Sequence, residues 1–265
     1  MLTKRLIACF DVRRGRVTKA KQFQDNLDVG DPGEIAAMLY DQGIDEVIYY
    51  DIDASVERRP PDPVTVMTVA RNLYVPFTVG GGVRTLDDMH QVLDQGAEKV
   101  SIDSMAVRSP DLISQGAKAF GCQCVVLSLQ AKKVVASEAT PSGYEIFIDG
   151  ARVATGIDAV AWARRGADLG AGEICVNSID RDGTGEGYEL DITGQILDAV
   201  DVPVIASGGA STAEHLAAVF ERGASAGIIS SMLYSPRHDT HHTVPELKAE
   251  LIGLGAHMRP PVSSG

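Results

Sequence analysis

The chain has 265 residues, 45% of them hydrophobic and 23% charged, with a formal net charge of −12, a size that suits two small domains or one barrel-sized domain with a sizeable core. No apolar run approaches the ~20 residues that span a bilayer, and the N-terminal apolar stretch is too short for a secretory leader and lacks its cleavage site, so a cytoplasmic protein with no membrane contact is expected. The acidic surplus and the scattered Arg and Lys residues argue against nucleic-acid binding, while leaving room for an anionic metabolite held by backbone amides and local bases.

Taken in chain order, RLIACFD (5–11) reads as a first buried strand that ends on an acid. The long polar segment RRGRVTKAKQFQDNLDVGDP (13–32) reads as a loop able to close over whatever that strand presents. PGEIAAMLYDQG (32–43) follows, a helix with Pro at its start and Gly at its end. EVIYYDI, PFTVG and KVSID supply strands two to four, with helices predicted at LDDMHQVLDQGA and PDLISQGAKAFG. CVVLSLQ (124–130) is the fifth strand and ends on an amide, Gln130. SEATPSGYEIFIDGARV (137–153) is expected to form a β-hairpin around Pro141-Ser142-Gly143 and to join two halves of the chain. DAVAWARRGADLG, EICVNSI, PVIASG, TAEHLAAVFERGA and AGIISS complete the alternation, and HMRPPVSSG (257–265) reads as a loose tail.

Eight Val- and Ile-rich strands alternating with helices predict a (β/α)8 TIM barrel, its strands buried on both faces. A doubly wound open sheet is the other arrangement of such elements, but no G-x-G-x-x-G follows the first strand. An internal repeat favours closure: residues 75–105 align without a gap on 202–232, bringing Pro76 onto Pro203, Gly81 and Gly82 onto Gly208 and Gly209, and Ser104 onto Ser231. The same offset carries Glu46 onto Glu173. We therefore expect one barrel over 1–256, built from two duplicated (βα)4 halves at about 1–121 and 122–256.

Candidate chemistry gathers at strand ends. VGGGV (79–83) and SGGAS (207–211) follow strands three and seven, where Gly lets backbone amides approach a phosphate closely. Gly82, Asp103 and Ser104 form one candidate anion site; Asp182, Gly183, Thr184, Gly209, Ser230 and Ser231 form the other. The same glycines also serve simply as tight turns. Asp11 stands where a barrel carries its catalytic groups, and Lys19 in the following loop either reaches over the mouth or is a solvated lysine. At the opposite strand ends, Arg5, Glu46, Lys99 and Glu173 alternate in sign, forming either a salt-bridged plug or a gate to a central channel. The four cysteines lie in apolar runs and read as buried reduced thiols. His238, His241 and His242 cluster in a segment that reads as a solvated loop, so no metal site is assigned.

KRLIACFDV, GDP, DIDASVE, FTVGGGV, GAEKVSI, GAGEICVNSIDRDGTGEGY and VIASGGA together resemble the cyclase subunit of imidazole glycerol phosphate synthase, over about residues 1–255. The resemblance implies a half-barrel duplication with two phosphate sites. It also implies a ribulosyl formimino carboxamide ribonucleotide substrate carrying two phosphates, and ammonia delivered through the barrel by a glutaminase docked at its N-terminal face. Imidazole glycerol phosphate and an aminoimidazole carboxamide ribotide are the implied products. It assigns Asp11 as the essential acid/base, Lys19 to the closing loop, and Arg5, Glu46, Lys99 and Glu173 to an ammonia gate. It matches Gly82 and Ser104 to one phosphate site and Gly183, Gly209, Ser230 and Ser231 to the other, with no cofactor or metal.

Two positions depart from the family. Its second catalytic aspartate ends strand five, where this chain has Gln130, and its first phosphate site has Asn where this chain has Asp103. Gln cannot titrate near neutral pH, so proton transfer then rests on Asp11 alone, or on Asp11 with Asp182, Asp53 or a water held by Gln130. Asp103 repels a phosphate unless it is protonated or turned away as a helix cap. Three functions are consistent with this set: the family cyclase, a diverged paralogue that amidates another substrate with delivered ammonia, and a non-catalytic barrel that binds a glutaminase.

Overall fold

In the computed structural model, residues 2–21, 24–234 and 242–261 are described. In chain order the elements are β1 (Arg5–Arg13), β2 (Arg16–Lys21), β3 (Gln24–Gly30), α1 (Pro32–Asp41), β4 (Glu46–Asp51), α2 (Ala54–Glu57), α3 (Pro63–Ala70), β5 (Phe77–Gly80), α4 (Leu86–Asp94), β6 (Lys99–Ile102), α5 (Ser104–Arg108) and α6 (Asp111–Phe120). The chain continues with β7 (Val125–Lys133), β8 (Tyr144–Ile148), β9 (Val153–Asp158), α7 (Ala159–Asp168), β10 (Glu173–Ser178), α8 (Leu190–Leu197), β11 (Val204–Ser207), α9 (Ala213–Arg222), β12 (Ala226–Ile229), α10 (Ser231–Tyr234) and α11 (Val244–Gly253).

Eight of the strands close into a ring in the order β1-β4-β5-β6-β7-β10-β11-β12, every neighbour parallel, with β12 pairing back onto β1 from Arg5↔Ala226 to Ala8↔Ile229. This is the (β/α)8 barrel, and all eight predicted strands take part in it. Closure leaves none of the eight barrel strands at a free edge, while β3 and β9 each pair on one side only. Along β1 the period of two separates two cores: Leu6, Ala8 and Phe10 point out under the helices, while Ile7 and Cys9 point into the barrel with Ile48, Val126, Cys175, Ile205 and Ile228.

Local signals end the helices where the sequence marks them. Asp31 caps α1, its Oδ1 accepting from Gly33 N at 2.8 Å and Glu34 N at 3.1 Å, with Pro32 at the first turn. Thr85 and Asp88 form a capping box on α4, and Thr212 caps α9 by accepting from His215 N. Thus the two repeated segments, 75–105 and 202–232, run through the same succession, β5-α4-β6-α5 and β11-α9-β12-α10.

Several expectations need correction. The 13–32 segment is no plain loop: β2 pairs antiparallel with β1 and β3 with β2, because Arg14 and Gly15 at positive φ turn the chain back on itself. The 137–153 segment does form a hairpin, with Lys133 opposite Tyr144, and it extends the fifth barrel strand. The tail is held at its start, where Met258 is buried, Lys4 N donates to His257 O, and Arg259 Nη2 donates to Gly43 O and Ile44 O at 2.9 Å. Cys9 and Cys175 are buried, but Cys122 is exposed and Cys124 half-exposed, because the chain between α6 and β7 turns at the surface. His238 and His241 lie outside the described residues. Helices α3, α8 and α11 were not anticipated from the sequence.

Candidate active site at the barrel mouth

Parallel closure sends the C-terminal ends of all eight strands to one rim. Asp11 stands there on β1, opposite Thr18 of β2, and the hairpin swings Lys19 inward so that its Nζ lies 3.1 Å from Asp11 Oδ2. Burial works against the Lys19 ammonium, but the carboxylates around it, Asp11 first and then Asp182, leave its pKa above that of an ordinary lysine. Lys19 is therefore a fixed cation beside Asp11, not a solvated loop lysine.

Asp182, grouped with the phosphate residues by its place in DRDGTGEGY, interacts electrostatically with Lys19 and Asp11. Burial pushes its carboxyl above the usual range, and repulsion from Asp11 adds to this against the pull of Lys19. Two carboxyls and one ammonium thus share the mouth. Gln130 lies within β7, which runs on to Lys133 rather than ending at the amide, and alongside Asn177 of β10 its Oε1 accepts from Asn177 Nδ2 at 2.8 Å. That bond fixes the amide orientation and leaves the Gln130 N–H groups without a protein acceptor among the described residues. Asn177 was not singled out from the sequence; only the strand register brings it to Gln130. Asp53 is turned away, paired with Arg13 at 3.1 Å.

The two candidate anion sites are unequal. After β6, Asp103 caps α5 with its own carboxylate, accepting from Ser104 N, while Ser104 Oγ accepts from Asp149 N at 2.9 Å. Asp149 is itself paired with Arg108. Burial raises the Asp103 carboxyl above its ordinary range. The Ser104 amide is therefore engaged within the protein. After β12, Ser230 and Ser231 at the start of α10 have no side-chain hydrogen bond among the described residues. Gly209 at φ 99° lies against Gly187, and a Cβ there would strike the Gly187 carbonyl; Gly82 at φ 80° likewise lies against the Arg59 carbonyl. Glycine is required at both positions, and Gly183 also takes a positive φ.

At the opposite end, Arg5, Glu46, Lys99 and Glu173 are the first residues of β1, β4, β6 and β10. Arg5 donates to Glu46 Oε2 at 2.7 Å and to Glu173 Oε1 at 2.6 Å, and Lys99 donates to Glu46 Oε1 and Glu173 Oε2 at 2.8 Å each. Each base bridges both acids, so the ring is closed and neutral. Thr78 donates to Glu46 at 3.0 Å, leaving that acid 1% exposed and fully satisfied.

Among the described residues no group of three or more His, Cys, Asp or Glu side chains is placed to hold a metal ion, and no helix is long and apolar enough to cross a membrane. A comparison with known proteins matches residues 5–239 to the family described as "Histidine biosynthesis protein". The chain is 52% identical over 260 residues to the imidazole glycerol phosphate synthase subunit HisF of Nitratidesulfovibrio vulgaris, covering 98% of this chain and 99% of that one. It is 52% identical to the HisF subunit of Oleidesulfovibrio alaskensis over the same shares. With the HisF subunit of Syntrophobacter fumaroxidans the identity is 54% over 235 residues, 88% of this chain and 91% of the other.

Proposed function

The chain belongs to the histidine biosynthesis family, with the HisF subunits of imidazole glycerol phosphate synthase, and from that premise we propose that it is the cyclase subunit, with proton transfer shared between Asp11 and Asp182. The substrate is a ribulosyl formimino carboxamide ribonucleotide carrying two phosphates. Ammonia comes from a glutaminase subunit docked at the N-terminal face, passes the Arg5–Glu46–Lys99–Glu173 ring and reaches the mouth. One barrel over 1–256, made of two (βα)4 halves, provides both ends of that route, and the protein works in the cytoplasm.

As ammonia adds to the substrate, its nitrogen must lose protons, and the departing ribotide must gain one. A pair of carboxyls in unlike environments does both when one donates and the other accepts. Asp11, beside Lys19, is the accepting group; Asp182, raised by burial, is the donating one. Gln130 has no titratable proton, and with its Oε1 held by Asn177 it orients the substrate by donating a hydrogen bond. Ser230, Ser231, Gly183 and Gly209 hold one phosphate. Gly82 and Ser104 take the other when the Asp103 carboxylate is neutralised or displaced.

The observation that carries this reading is the placing of the Asp11–Lys19 pair and the neutral charged ring at opposite ends of one barrel. Purified protein supplied with ammonium and the two-phosphate substrate should release imidazole glycerol phosphate. Folded protein with no turnover would exclude the assignment. A second reading, a diverged paralogue acting on another substrate, is favoured by one observation, the Asp103 carboxylate engaging the first anion site. Tight binding of the two-phosphate substrate counts against it. A non-catalytic glutaminase-binding barrel requires Asp11→Asn to change nothing, and a loss of turnover in that variant excludes it.

A further inference from the structure

We propose that Tyr50 is an upper gate in the barrel, a ring that lies across the internal route between the charged ring and Asp11; this rests on the reading that ammonia passes through the barrel. Tyr50 lies on β4 level with Asp11 on β1, and the period of two points it inward with Glu46 and Ile48. Its hydroxyl lies 3.3 Å from Ser101 Oγ of β6 and also interacts with Ser128 of β7. Its ring edge rests on Gly80 of β5. One side chain therefore reaches from β4 over three further strands.

Gly80 shows that this crossing is built in. It is absent from the positive-φ glycines, so its backbone would accept any residue. Space is what demands glycine there: a Cβ would come within 2.8 Å of Tyr50 Cε1 and 2.9 Å of Cδ1. The ring occupies the volume that a side chain on β5 would otherwise fill.

The barrel interior that Tyr50 packs against holds the aliphatic side chains Ile7, Ile48, Val126, Ile205 and Ile228, with the small or hydroxyl-bearing groups Thr78, Ser101, Ser128 and Cys175 beside them, all buried. Above it Tyr50 itself is half-exposed to the mouth. Ammonia leaving the charged ring meets these hydroxyls, which hydrogen-bond to it, and then the face of Tyr50. Burial pushes the phenol well above its ordinary range, so Tyr50 remains neutral and contributes no proton. What it offers is a movable obstruction fastened by weak neutral hydrogen bonds. Rotating the ring toward the mouth opens the path, and a substrate seated there decides whether that rotation occurs.

The test uses the complex with a glutaminase subunit of the synthase, in which external ammonium enters from the mouth and glutamine-derived ammonia enters from below. Tyr50→Phe removes the fastening and keeps the ring, so glutamine should be hydrolysed in excess of product formed. Tyr50→Trp fills the passage, so the ratio of glutamine-driven to ammonium-driven turnover should fall about tenfold, as ~1.4 kcal/mol added to the passage step requires. Thermal unfolding of each variant checks that the barrel persists. An unchanged ratio in Tyr50→Trp together with one product per glutamine in Tyr50→Phe overturns the gate while leaving the cyclase reading intact. A natural complex that uses neither ammonia source overturns both.

Discussion

Replacing Asp182 by Asn isolates the proton-transfer role from every other property of the mouth. The change is nearly isosteric, and it leaves the Lys19–Asp11 pair at 3.1 Å in place. It converts a site of two carboxyls and one ammonium into a neutral pair. Losing a general acid costs about 10²–10⁴ in rate, equivalent to ~2.7–5.5 kcal/mol of barrier. That loss should fall on kcat in ammonium-driven cyclisation, and the high-pH limb that reports the deprotonation of Asp182 should vanish from the profile. Stability should move the other way. A carboxyl whose folded pKa lies above its unfolded value binds more protons folded, so it costs stability as pH rises through that interval and above it. The Asn variant should therefore melt higher at pH 7 than the natural protein. Adding Gln130→Asp to it places a new carboxyl beside Asn177 and should recover part of the lost rate. A variant with Asp182→Asn that keeps more than about half of the natural kcat, where a lost acid predicts a hundredfold drop, refutes the assignment.

Three other outcomes follow from the structure. Asp103→Asn removes the carboxylate that engages Ser104 N, and KM for the two-phosphate substrate should fall roughly tenfold, the effect of ~1.4 kcal/mol. Because burial raises the Asp103 carboxyl, KM in the natural protein should rise with pH as that group ionises, and the Asn variant should flatten the dependence. Glu46→Gln leaves Arg5 and Lys99 sharing a single buried acid; an uncompensated buried charge costs about 3–5 kcal/mol, to be read by urea unfolding. Lys248, fully buried and donating to Gly43 O at 2.7 Å and Asp45 at 2.6 Å, fastens α11 to the start of β4. Asp45 keeps Arg259 at 3.1 Å and the Leu6 amide at 3.0 Å, so Lys248→Met should lower stability by about 1–3 kcal/mol, the cost of buried acceptors left without a donor, with the loss read by calorimetry.

Much of this protein is written locally. Alternating Val-rich runs, Asp31-Pro32 and the Thr85 and Thr212 caps specify strand, turn and helix through contacts a few residues apart, so the eight-stranded pattern, Asp11, the Gly-Gly turns and the four alternating charges were all legible. The β2–β3 hairpin was not, because only isolated apolar residues, such as Val17, Leu27 and Val29, mark it in a polar stretch and pairing with β1 decides its conformation. Nor were the exposed Cys122 and half-exposed Cys124, whose apolar surroundings along the chain did not reveal the turn they occupy.

Only the closed barrel settles which side chains meet. Register aligns Gln130 with Asn177, brings Lys19 to Asp11, turns Asp182 toward both, and swings Asp53 aside to Arg13. Register also lays Tyr50 over Gly80 and beneath the mouth. A strand's sequence sets the face on which a residue lies, because that depends on a period of two along one chain. The partner across the barrel is set by stagger between strands far apart in sequence, and that stagger exists only once the ring has closed.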